Sequence, residues 1–496
     1  MKNKTIQLNP RDNVLVALQD LEPGDVLTSG ARAITVNEAI KRGHKIALED
    51  IEENADIIKY GSPIGHATKK IEQGSWVHTH NVSTNLSGKV EYEYKPELHP
   101  RIFPKDSRTF KGYLRKNGKA GIRNDLYIIP TVGCINMIGD LLVDQFKANH
   151  PDNGAFDEII LFKHPYGCSQ LGDDLQNTRK ILMDAAAHPN AGGVLIFGLG
   201  CENNQLDEMK AQMGEFDEKR VKFMICQDVE DEVETGLQLL EELNEAAKED
   251  KRIDLPLSEL KIGLKCGGSD GFSGITGNPL LGRFSDFVIS QGGSTVLTEV
   301  PEMFGAEKML MARAKDEIVF NKIVKLINQF KDYFASYGQP IYENPSPGNK
   351  AGGITTLEDK SLGCTQKAGT SAVVDVLEYG EKLKEKGLSL LQAPGNDLVS
   401  STALAAADCQ MVLFTTGRGT PFGTFVPTVK VSTNTELYEK KKQWIDFNAG
   451  RLLDEEMDEV VEQFISFILE VASGKKTKNE IRHLHEIAIF KNGVTE

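Results

Sequence analysis

Short apolar runs broken by turn-forming residues fill the N-terminal part of the chain. Runs such as 13–18 and 57–61 are separated by single glycines and by a Pro-Gly pair. Closely spaced turn residues of this kind favour short strands over helices. Residues 1–95 are therefore predicted to form a small β-rich module. The charged, proline-containing residues 96–111 are predicted to be a linker.

From residue 112 onwards, apolar strand-like runs alternate with amphipathic helix-like segments. This alternation favours a parallel sheet covered on both faces, and it predicts one α/β domain over 112–255. Strands are expected near 126–130, 158–162, 193–198 and 221–226, and helices at 176–187 and 228–248.

A second α/β domain is predicted over 256–496. Strands are expected at 261–265, 294–298 and 411–415, and long helices at 306–336 and 454–472. Residues 341–367 are rich in Gly, Pro, Ser and Thr and are too polar to be core, so they are predicted to be a functional or disordered loop. The predicted fold class is α/β and multidomain, with a small β-module followed by two α/β domains with largely parallel sheets.

The dipeptide Gly-Cys recurs, mostly at the ends of predicted strands. It occurs as Gly133-Cys134, Gly167-Cys168, Gly200-Cys201 and Gly363-Cys364, and Cys266 directly follows another strand-like run. Ligands of open α/β sheets bind at the carboxyl ends of the strands. The pattern therefore predicts a site for a metal or a polar substrate.

Charge and cysteine usage narrow the class of protein. The 496 residues carry a net charge of -15, which disfavours nucleic acid as a partner. No apolar run is long enough to span a bilayer, so no membrane association is expected. The N-terminal residues show no secretory signal, so the location is predicted to be cytoplasmic and the seven cysteines to be reduced.

Two polar loops follow predicted strands of the first α/β domain. Residues 164–170 include Tyr166 and Cys168, and residues 198–205 include Cys201 and Glu202. The second loop begins like a dinucleotide fingerprint but lacks its third glycine, which disfavours NAD. The first loop is predicted to be functional, and the second is predicted to bind a polyhydroxylated ligand. The competing interpretation of the second loop is a helix start capped by Asn203 or Asn204.

Anion-binding positions are predicted in the last domain. The glycine-rich loop that contains Ser269 offers backbone amides to a carboxylate, and it lacks the Lys-Ser/Thr of a P-loop. Arg283 and Arg418 are the cations expected to pair with such a carboxylate.

His78 and His80 occupy alternate positions at the end of the β-module. Alternation along a strand places both on one face, so both could reach one metal ion. The competing interpretation is a pair of structural histidines.

These motifs together resemble the altronate/galactarate dehydratase family of sugar-acid hydro-lyases, whose N-terminal part is a β-clip module called the SAF domain. The resemblance spans nearly the whole chain in the family's order. It is carried by Gly43-His44-Lys45, Ile58-Lys59-Tyr60-Gly61, His78-Thr79-His80-Asn81, Gly121-Ile122-Arg123-Asn124, Thr131-Val132-Gly133-Cys134, Tyr166-Gly167-Cys168-Ser169-Gln170, Gly200-Cys201-Glu202-Asn203-Asn204, Cys266-Gly267-Gly268-Ser269-Asp270, Glu343-Asn344-Pro345-Ser346-Pro347-Gly348-Asn349, Gly363-Cys364-Thr365-Gln366-Lys367 and Gly417-Arg418-Gly419-Thr420-Pro421.

The resemblance implies an enzyme that removes water from D-altronate and forms 2-dehydro-3-deoxy-D-gluconate in hexuronate catabolism. It also implies dependence on iron(II) or manganese(II). The chemistry needs a base for the C2 proton, an acid for the C3 hydroxyl, and positive charge near the substrate carboxylate.

Candidate residues follow for each of these roles. Catalytic roles are predicted for His78, His80, Lys59 and Glu202. Substrate contacts are predicted for His44, Arg123, Asn124, Tyr166, Ser269, Arg283 and Arg418. Metal ligands are predicted among His78, His80, Cys168, Cys201 and Cys266. Cys168, Cys201 and Glu202 are expected to line a cleft between the first two domains.

Three alternatives stay open at this stage. The substrate could be galactarate or a related sugar acid. The cofactor could be an iron–sulfur cluster held by three of Cys134, Cys168, Cys201, Cys266 and Cys364. The chain could also be a sugar-acid-binding protein without turnover. The C-terminal helices could support a homodimer.

Overall fold

The computed structural model describes residues 4–30 and 32–496. The N-terminal module is built from short antiparallel strands, as predicted. Its strands order into the sheets β1-β2-β5-β8 and β6-β7-β9 and the hairpin β3-β4. The strands are β1 (Thr5–Ile6), β2 (Val14–Ala17), β3 (Val26–Ser29), β4 (Arg32–Thr35), β5 (Lys45–Ala47), β6 (Asp56–Lys59), β7 (Ser62–Ala67), β8 (Trp76–Val77) and β9 (Val82–Ser83).

Residues 84–108 contain neither helix nor strand and run as an extended strap along the last domain. The Tyr92 hydroxyl donates to Glu307 at 2.7 Å, and the Phe103 amide donates to the Ser290 hydroxyl at 3.0 Å. The strap therefore holds the N-terminal module against the last domain.

The second domain is a four-stranded parallel sheet in the order β13-β12-β14-β15, flanked by helices. A small antiparallel sheet, β11-β10-β16, joins it to its neighbour. The elements are β10 (Thr109–Leu114), β11 (Ala120–Gly121), β12 (Asp125–Pro130), α1 (Asn136–Asn149), β13 (Ile159–Leu161), α2 (Gly172–Ala186), β14 (Ala191–Gly198), α3 (Leu206–Met213), β15 (Val221–Ile225), α4 (Glu232–Ala247) and β16 (Ile253–Pro256).

The third domain is a seven-stranded parallel sheet in the order β19-β20-β18-β17-β21-β22-β23. Its strands are β17 (Lys261–Cys266), β18 (Ser294–Leu297), β19 (Val373–Leu377), β20 (Leu388–Leu391), β21 (Met411–Thr416), β22 (Thr428–Ser432) and β23 (Phe447–Asn448). Its helices are α5 (Gly277–Ser290), α6 (Glu307–Met311), α7 (Glu317–Ser336), α8 (Pro347–Ala351), α9 (Leu357–Cys364), α10 (Asp397–Ala406), α11 (Thr435–Lys440), α12 (Met457–Ala472) and α13 (Lys478–Ile481).

Apolar helix faces cover this sheet. Helices α5 and α12 pack with it in one buried cluster, whereas α10 packs in a second cluster that extends to α2 of the second domain. The predicted α/β class, with a β-module and two largely parallel sheets, is confirmed. No helix among the described residues is long and apolar enough to cross a membrane.

Two predicted elements differ from the structure. The single helix expected over 306–336 is interrupted, because the backbone at 313–315 pairs with Val373 of β19 and Asp316 then caps α7. The segment 341–367, expected to be a polar loop, contains α8 and α9 and is largely buried. Its polar side chains are buried because they pair with one another and with the N-terminal module.

Candidate active site

Helix α9 lies between the N-terminal module and the last domain, and Asp359 at its centre binds two lysines of the module. Lys45 on β5 places its Nζ 2.8 Å from Oδ2 of Asp359, and Lys59 on β6 places its Nζ 2.9 Å from Oδ1. The three side chains are at most 2% exposed. We call Lys45, Lys59 and Asp359 the junction triad.

The junction triad holds two amines and one carboxylate. Burial alone would raise the pKa of Asp359, but the two ammonium groups outweigh it and hold that pKa well below its usual range. Burial lowers the pKa of Lys45 to about 8, whereas Asp359 and Tyr60 outweigh burial at Lys59 and raise its pKa. Lys45 is therefore the amine of the triad that can release a proton near neutral pH.

Two of the predicted histidines border the triad. His78 is buried, and its Nδ1 lies 3.2 Å from the Thr355 hydroxyl. Burial and the neighbouring Lys45 lower the pKa of His78 to about 3, so its imidazole is neutral. His44 accepts from the Trp76 indole at 3.2 Å, and its ring centroid lies 5.0 Å from that of His78.

His80 is exposed, unlike His78, and the Trp76 ring contacts both imidazoles. Among the residues that the structure describes, neither histidine belongs to a group of three closely spaced metal ligands. The predicted joint role of His78 and His80 at one metal ion therefore gains no support from their geometry.

A second buried cluster begins at the C-terminal end of α9. The Sγ atoms of Cys266 and Cys364 are 3.3 Å apart, and Oε2 of Glu302 lies 3.4 and 3.2 Å from them, respectively. These are three ligand atoms within 4.8 Å of one another. We call Cys266, Glu302 and Cys364 the thiol cluster.

Three lysines and three carboxylates lie in or around the thiol cluster, so their charges balance when both thiols are protonated. Lys367 places its Nζ 2.7 Å from the Cys266 sulfur, and Lys360 lies 2.8 Å from Glu302. The remaining partners are Lys265, Glu299 and Asp397. A divalent cation that replaces the two thiol protons keeps this balance, which favours a metal at this position.

The pKa values of Glu302 and Cys364 in the thiol cluster are shifted in opposite directions. Burial would raise the pKa of Glu302, but Lys360 and the other two lysines outweigh it and hold that pKa low. The hydrogen bond to Cys266, together with burial, raises the pKa of the Cys364 thiol. Glu302 is thus an anion and Cys364 a thiol unless a cation displaces its proton.

A small cavity of about 10 Å³, room for about one water molecule, lies between the junction triad and the thiol cluster. The cations Lys59 and Lys360 line it, and so does Ser269, whose buried hydroxyl has no hydrogen-bond partner among the described residues. Tyr60, Asp270, Ser273, Gly274, Asn278, Ile354, Asp359, Gly363 and Cys364 complete the lining. The ammonium groups and the free hydroxyl suit the carboxylate and hydroxyl groups of a ligand, and a ligand larger than water requires the lining residues to move apart.

The structure brings five of the predicted site residues together here, namely His44, Lys59, His78, Cys266 and Ser269. Arg418 is exposed. It lies beside the glycine-rich loop, because its backbone amide donates to the Gly268 carbonyl at 3.0 Å. Arg283 lies in a different cavity, where it pairs with Asp458 at 3.2 Å.

Tyr166, Cys168, Cys201 and Glu202 lie at the carboxyl edge of the second domain's sheet. Tyr166 and Cys168 line a cavity whose walls come from that domain, which differs from the predicted cleft between the first two domains. The Glu202 carboxylate accepts from the amides of its own loop and from Thr131, so it holds this edge together.

Arg123 and Asn124 are buried within the protein rather than exposed in a cavity. The Arg123 guanidinium donates to Glu480 at 2.6 and 3.1 Å and to three backbone carbonyls. Asn124 accepts from Arg115 at 2.8 Å and donates to a carbonyl. Both therefore connect structural elements.

Arg123→Ala is expected to lower the free energy of unfolding by about 3–5 kcal/mol, because Glu480 stays buried without its cation. Chemical denaturation of the purified variant measures this effect. The control is Arg32→Ala, which breaks an exposed ion pair with Glu49 and should change stability by about 0–1 kcal/mol. Unchanged stability with a raised KM would instead place Arg123 at the substrate.

Several residues of this site were missed as functional by the sequence patterns. Asp359, Lys360 and Glu302 lie outside the motifs that carry the resemblance, whereas Lys45 and Lys367 lie inside them but were assigned no role. The available signal was a high density of charged residues beside Gly363-Cys364, in a segment with glycine and proline on both sides.

Comparison with known families matches all three domains. Residues 3–85 match the altronate/galactarate dehydratase SAF domain, and residues 112–248 match the second domain of D-galactarate dehydratase/altronate hydrolase. Residues 257–495 match the C-terminal domain of D-galactarate/altronate dehydratase.

Similar proteins span the whole chain. Altronate dehydratase of Bacillus subtilis (strain 168) is 62% identical, and altronate dehydratase of Escherichia coli (strain K12) is 55% identical, each over 99% of both chains. Galactarate dehydratase (L-threo-forming) of Escherichia coli (strain K12) is 34% identical over 98% of this chain and 96% of its own. With every domain matched in order and relatives aligned from end to end, the chain belongs to the altronate/galactarate dehydratase family.

Proposed function

We propose that this protein is a hydro-lyase that dehydrates D-altronate to 2-dehydro-3-deoxy-D-gluconate in hexuronate catabolism. The observation that carries the proposal is full-length similarity to altronate dehydratases, which exceeds the similarity to galactarate dehydratase. The buried cationic cavity supports it, because a sugar acid needs such surroundings. A cytoplasmic location belongs to the same proposal, since the thiol cluster requires reduced cysteines.

The reaction removes a proton from C2, next to the substrate carboxylate, and expels the hydroxyl group from C3. Proton removal places a second negative charge on the carboxylate oxygens. Lys59 and Lys360 line the cavity as cations and would stabilise this charge there. The Ser269 hydroxyl, which lacks a protein partner, would hold a substrate oxygen.

Lys45 is proposed as the group that accepts the C2 proton. Its pKa of about 8 leaves a useful fraction of neutral amine near neutral pH, whereas Lys59 stays protonated. Asp359 contacts both amines, so it connects Lys45, which does not line the cavity, to Lys59, which does.

The thiol cluster fits the metal that the family implies. The thiol cluster offers two sulfurs and one carboxylate oxygen as ligands. Such ligands favour iron(II), because manganese(II) prefers oxygen ligands alone. Cys266, Glu302 and Cys364 would therefore hold Fe²⁺. When bound, the ion supplies Lewis-acid polarisation of substrate oxygens. Manganese(II) stays the second candidate for the same ligands.

The function is tested by turnover of D-altronate in ferrous, anaerobic buffer, followed by the appearance of the 2-keto product. Galactarate is the comparison substrate. Formation of the keto product from altronate with the higher kcat/KM is expected. Faster turnover of galactarate would reassign the substrate. A raised melting temperature with altronate but no product would identify a binding protein.

Cys364→Ser is expected to lose the iron bound at the thiol cluster, because one of three ligands is replaced by a weaker one. Iron per chain, measured after anaerobic desalting, should fall by about one ion relative to the parent protein. Cys409→Ser is the matched control, since Cys409 is also buried but lies outside this cluster. Equal iron in both variants would exclude the thiol cluster as the metal site.

A further inference from the structure

Three of the Gly-Cys dipeptides lie outside the proposed active site, at one edge of the second domain. Cys134 follows β12, Cys168 follows β13 and Cys201 follows β14, and these three strands are adjacent in the sheet. All three thiols are exposed, although free cysteines are usually among the most buried residues. We call Cys134, Cys168 and Cys201 the edge thiols.

The loops that carry the edge thiols are bonded to one another. The Gly133 amide donates to the Tyr166 carbonyl at 2.9 Å, which joins the first loop to the second. The Ser169 amide donates to the Asn203 side chain at 2.7 Å, which joins the second loop to the third. The three loops therefore form one unit rather than three independent turns.

A glycine before each edge thiol makes this close approach feasible. A Cβ atom on Gly133 would lie 2.7 Å from the His164 carbonyl oxygen, and one on Gly167 would lie 2.1 Å from that of Thr131. Gly200 has φ +128°, a conformation that other residues rarely adopt. The recurring Gly-Cys pattern is thus a packing requirement of this edge.

Helix N-termini converge at the same edge. Helix α1 begins at Asn136, α2 at Gly172 and α3 at Leu206, each shortly after one edge thiol. Their partial positive charge favours anionic sulfur ligands. Cys134 and Cys168 line an open cavity of about 610 Å³, which leaves room for a group of several atoms, and Cys201 lies outside its lining.

The spacing of the edge thiols argues against a single ion. Metal–sulfur bonds of about 2.3 Å require the sulfurs of one tetrahedral site to lie roughly 4 Å apart. Among the described residues, only the thiol cluster places three ligand atoms within 4.8 Å, so the edge thiols are more widely spaced. In an iron–sulfur cluster, each sulfur can bind a different iron, which suits wider spacing.

We propose that the edge thiols hold an iron–sulfur cluster of the four-iron class, with one iron left open to an oxygen ligand of a small anionic molecule. Each of the three thiols gives up its proton when it binds its iron. Tyr166 and Lys163 line the same cavity, where the Tyr166 hydroxyl accepts from the Ile489 amide at 3.4 Å and Lys163 pairs with Asp140 at 2.6 Å. This site is separate from the mononuclear metal proposed at the thiol cluster.

The test uses the full chain, purified anaerobically and reconstituted with sulfide and equal amounts of ferrous and ferric iron, which supply the two iron(II) and two iron(III) of the oxidised cluster. We expect about four acid-labile sulfides per chain, broad visible absorption and an electron paramagnetic resonance signal after reduction. Sulfide separates this proposal from the mononuclear iron, because iron at the thiol cluster brings none. Iron or zinc without sulfide would overturn the proposal.

Variants then identify the ligands. Cys134→Ser, Cys168→Ser and Cys201→Ser should each lose most of the sulfide and the visible absorption, while circular dichroism before reconstitution stays as in the parent protein. Cys226→Ser is the matched control, because Cys226 follows β15 at the same edge but is half-buried and has no preceding glycine. Cys364→Ser should also keep its sulfide.

Retained sulfide in all three edge variants would overturn the proposal. Loss of sulfide in Cys226→Ser would overturn the three-ligand arrangement with an open iron. Altronate turnover is measured separately on each sample, so a missing cluster and a missing dehydratase activity are distinguishable results.

Discussion

Asp359→Asn is expected to lower the free energy of unfolding by about 3–5 kcal/mol and to abolish dehydration, because it leaves two buried lysines without their shared carboxylate. The Nζ atoms of Lys45 and Lys59 lie 2.8 and 2.9 Å from Asp359, inside the interface between the N-terminal module and the last domain. Loss of the carboxylate therefore weakens both the site and the domain contact. Urea unfolding, followed by the fluorescence of the two tryptophans, of which Trp76 lies near the junction triad, measures the effect.

The matched control is Glu52→Gln, which removes one of the two carboxylate partners of Lys70 on the surface of the same module. Both side chains of that pair are more than half exposed, so the expected change is about 0–1 kcal/mol. Equal destabilisation by the two variants would contradict a buried ion triad at the interface.

The direction of the Asp359 pKa shift also determines how its contribution to folding stability changes with pH. Its folded-state pKa lies below the unfolded value of about 3.9, so the carboxylate contributes its full stability above that pH. The contribution is lost as the pH falls through the folded-state pKa. The Asp359 contribution to the stability difference between the parent protein and Asp359→Asn should therefore shrink under acidic conditions.

Lys45→Arg is expected to lower kcat for D-altronate by a factor of roughly 10²–10⁴, the usual contribution of a general base. Arginine keeps the positive charge but stays protonated at every working pH. In the parent protein, kcat/KM should rise with pH and level off above about 8, because Lys45 must lose its proton before it can accept one. In the variant this rise should disappear.

Lys41→Arg is the control, since Lys41 is exposed on the same module and should leave both kcat and the pH profile unchanged. Circular dichroism confirms that each variant is folded. If Lys45→Arg keeps a rise with the same midpoint, another group accepts the proton and Lys45 acts only through its charge.

The layers of this fold were predictable because apolar runs dominate their strands. The strand expected at 126–130 is found as Asp125–Pro130, and the one expected at 411–415 as Met411–Thr416. Both are completely buried, so hydrophobicity alone marks them. The helix expected at 454–472 is found as Met457–Ala472 for the same reason, since its apolar positions recur at helical spacing.

The candidate active site was only partly predictable, because its ion pairs join residues that lie far apart in the sequence. His44, Lys59, His78, Cys266 and Ser269 were expected at a site, whereas Asp359 lies in a segment judged too polar for the core. A polar segment can be buried when its charges are mutually satisfied, and a linear pattern does not reveal partners that lie elsewhere in the chain. The same limit explains why Arg123, which pairs with Glu480, was predicted to contact substrate.

The junction triad also has a consequence for synthesis on the ribosome. Lys45 and Lys59 precede Asp359 by 314 and 300 residues, so the N-terminal module leaves the ribosome long before its carboxylate partner is made. At about 5–20 residues per second, the wait is roughly 15–60 s. During that time, both amines can stay hydrated and the face that later meets α9 stays uncovered. Completion of the active site is therefore a late event in the life of the nascent chain.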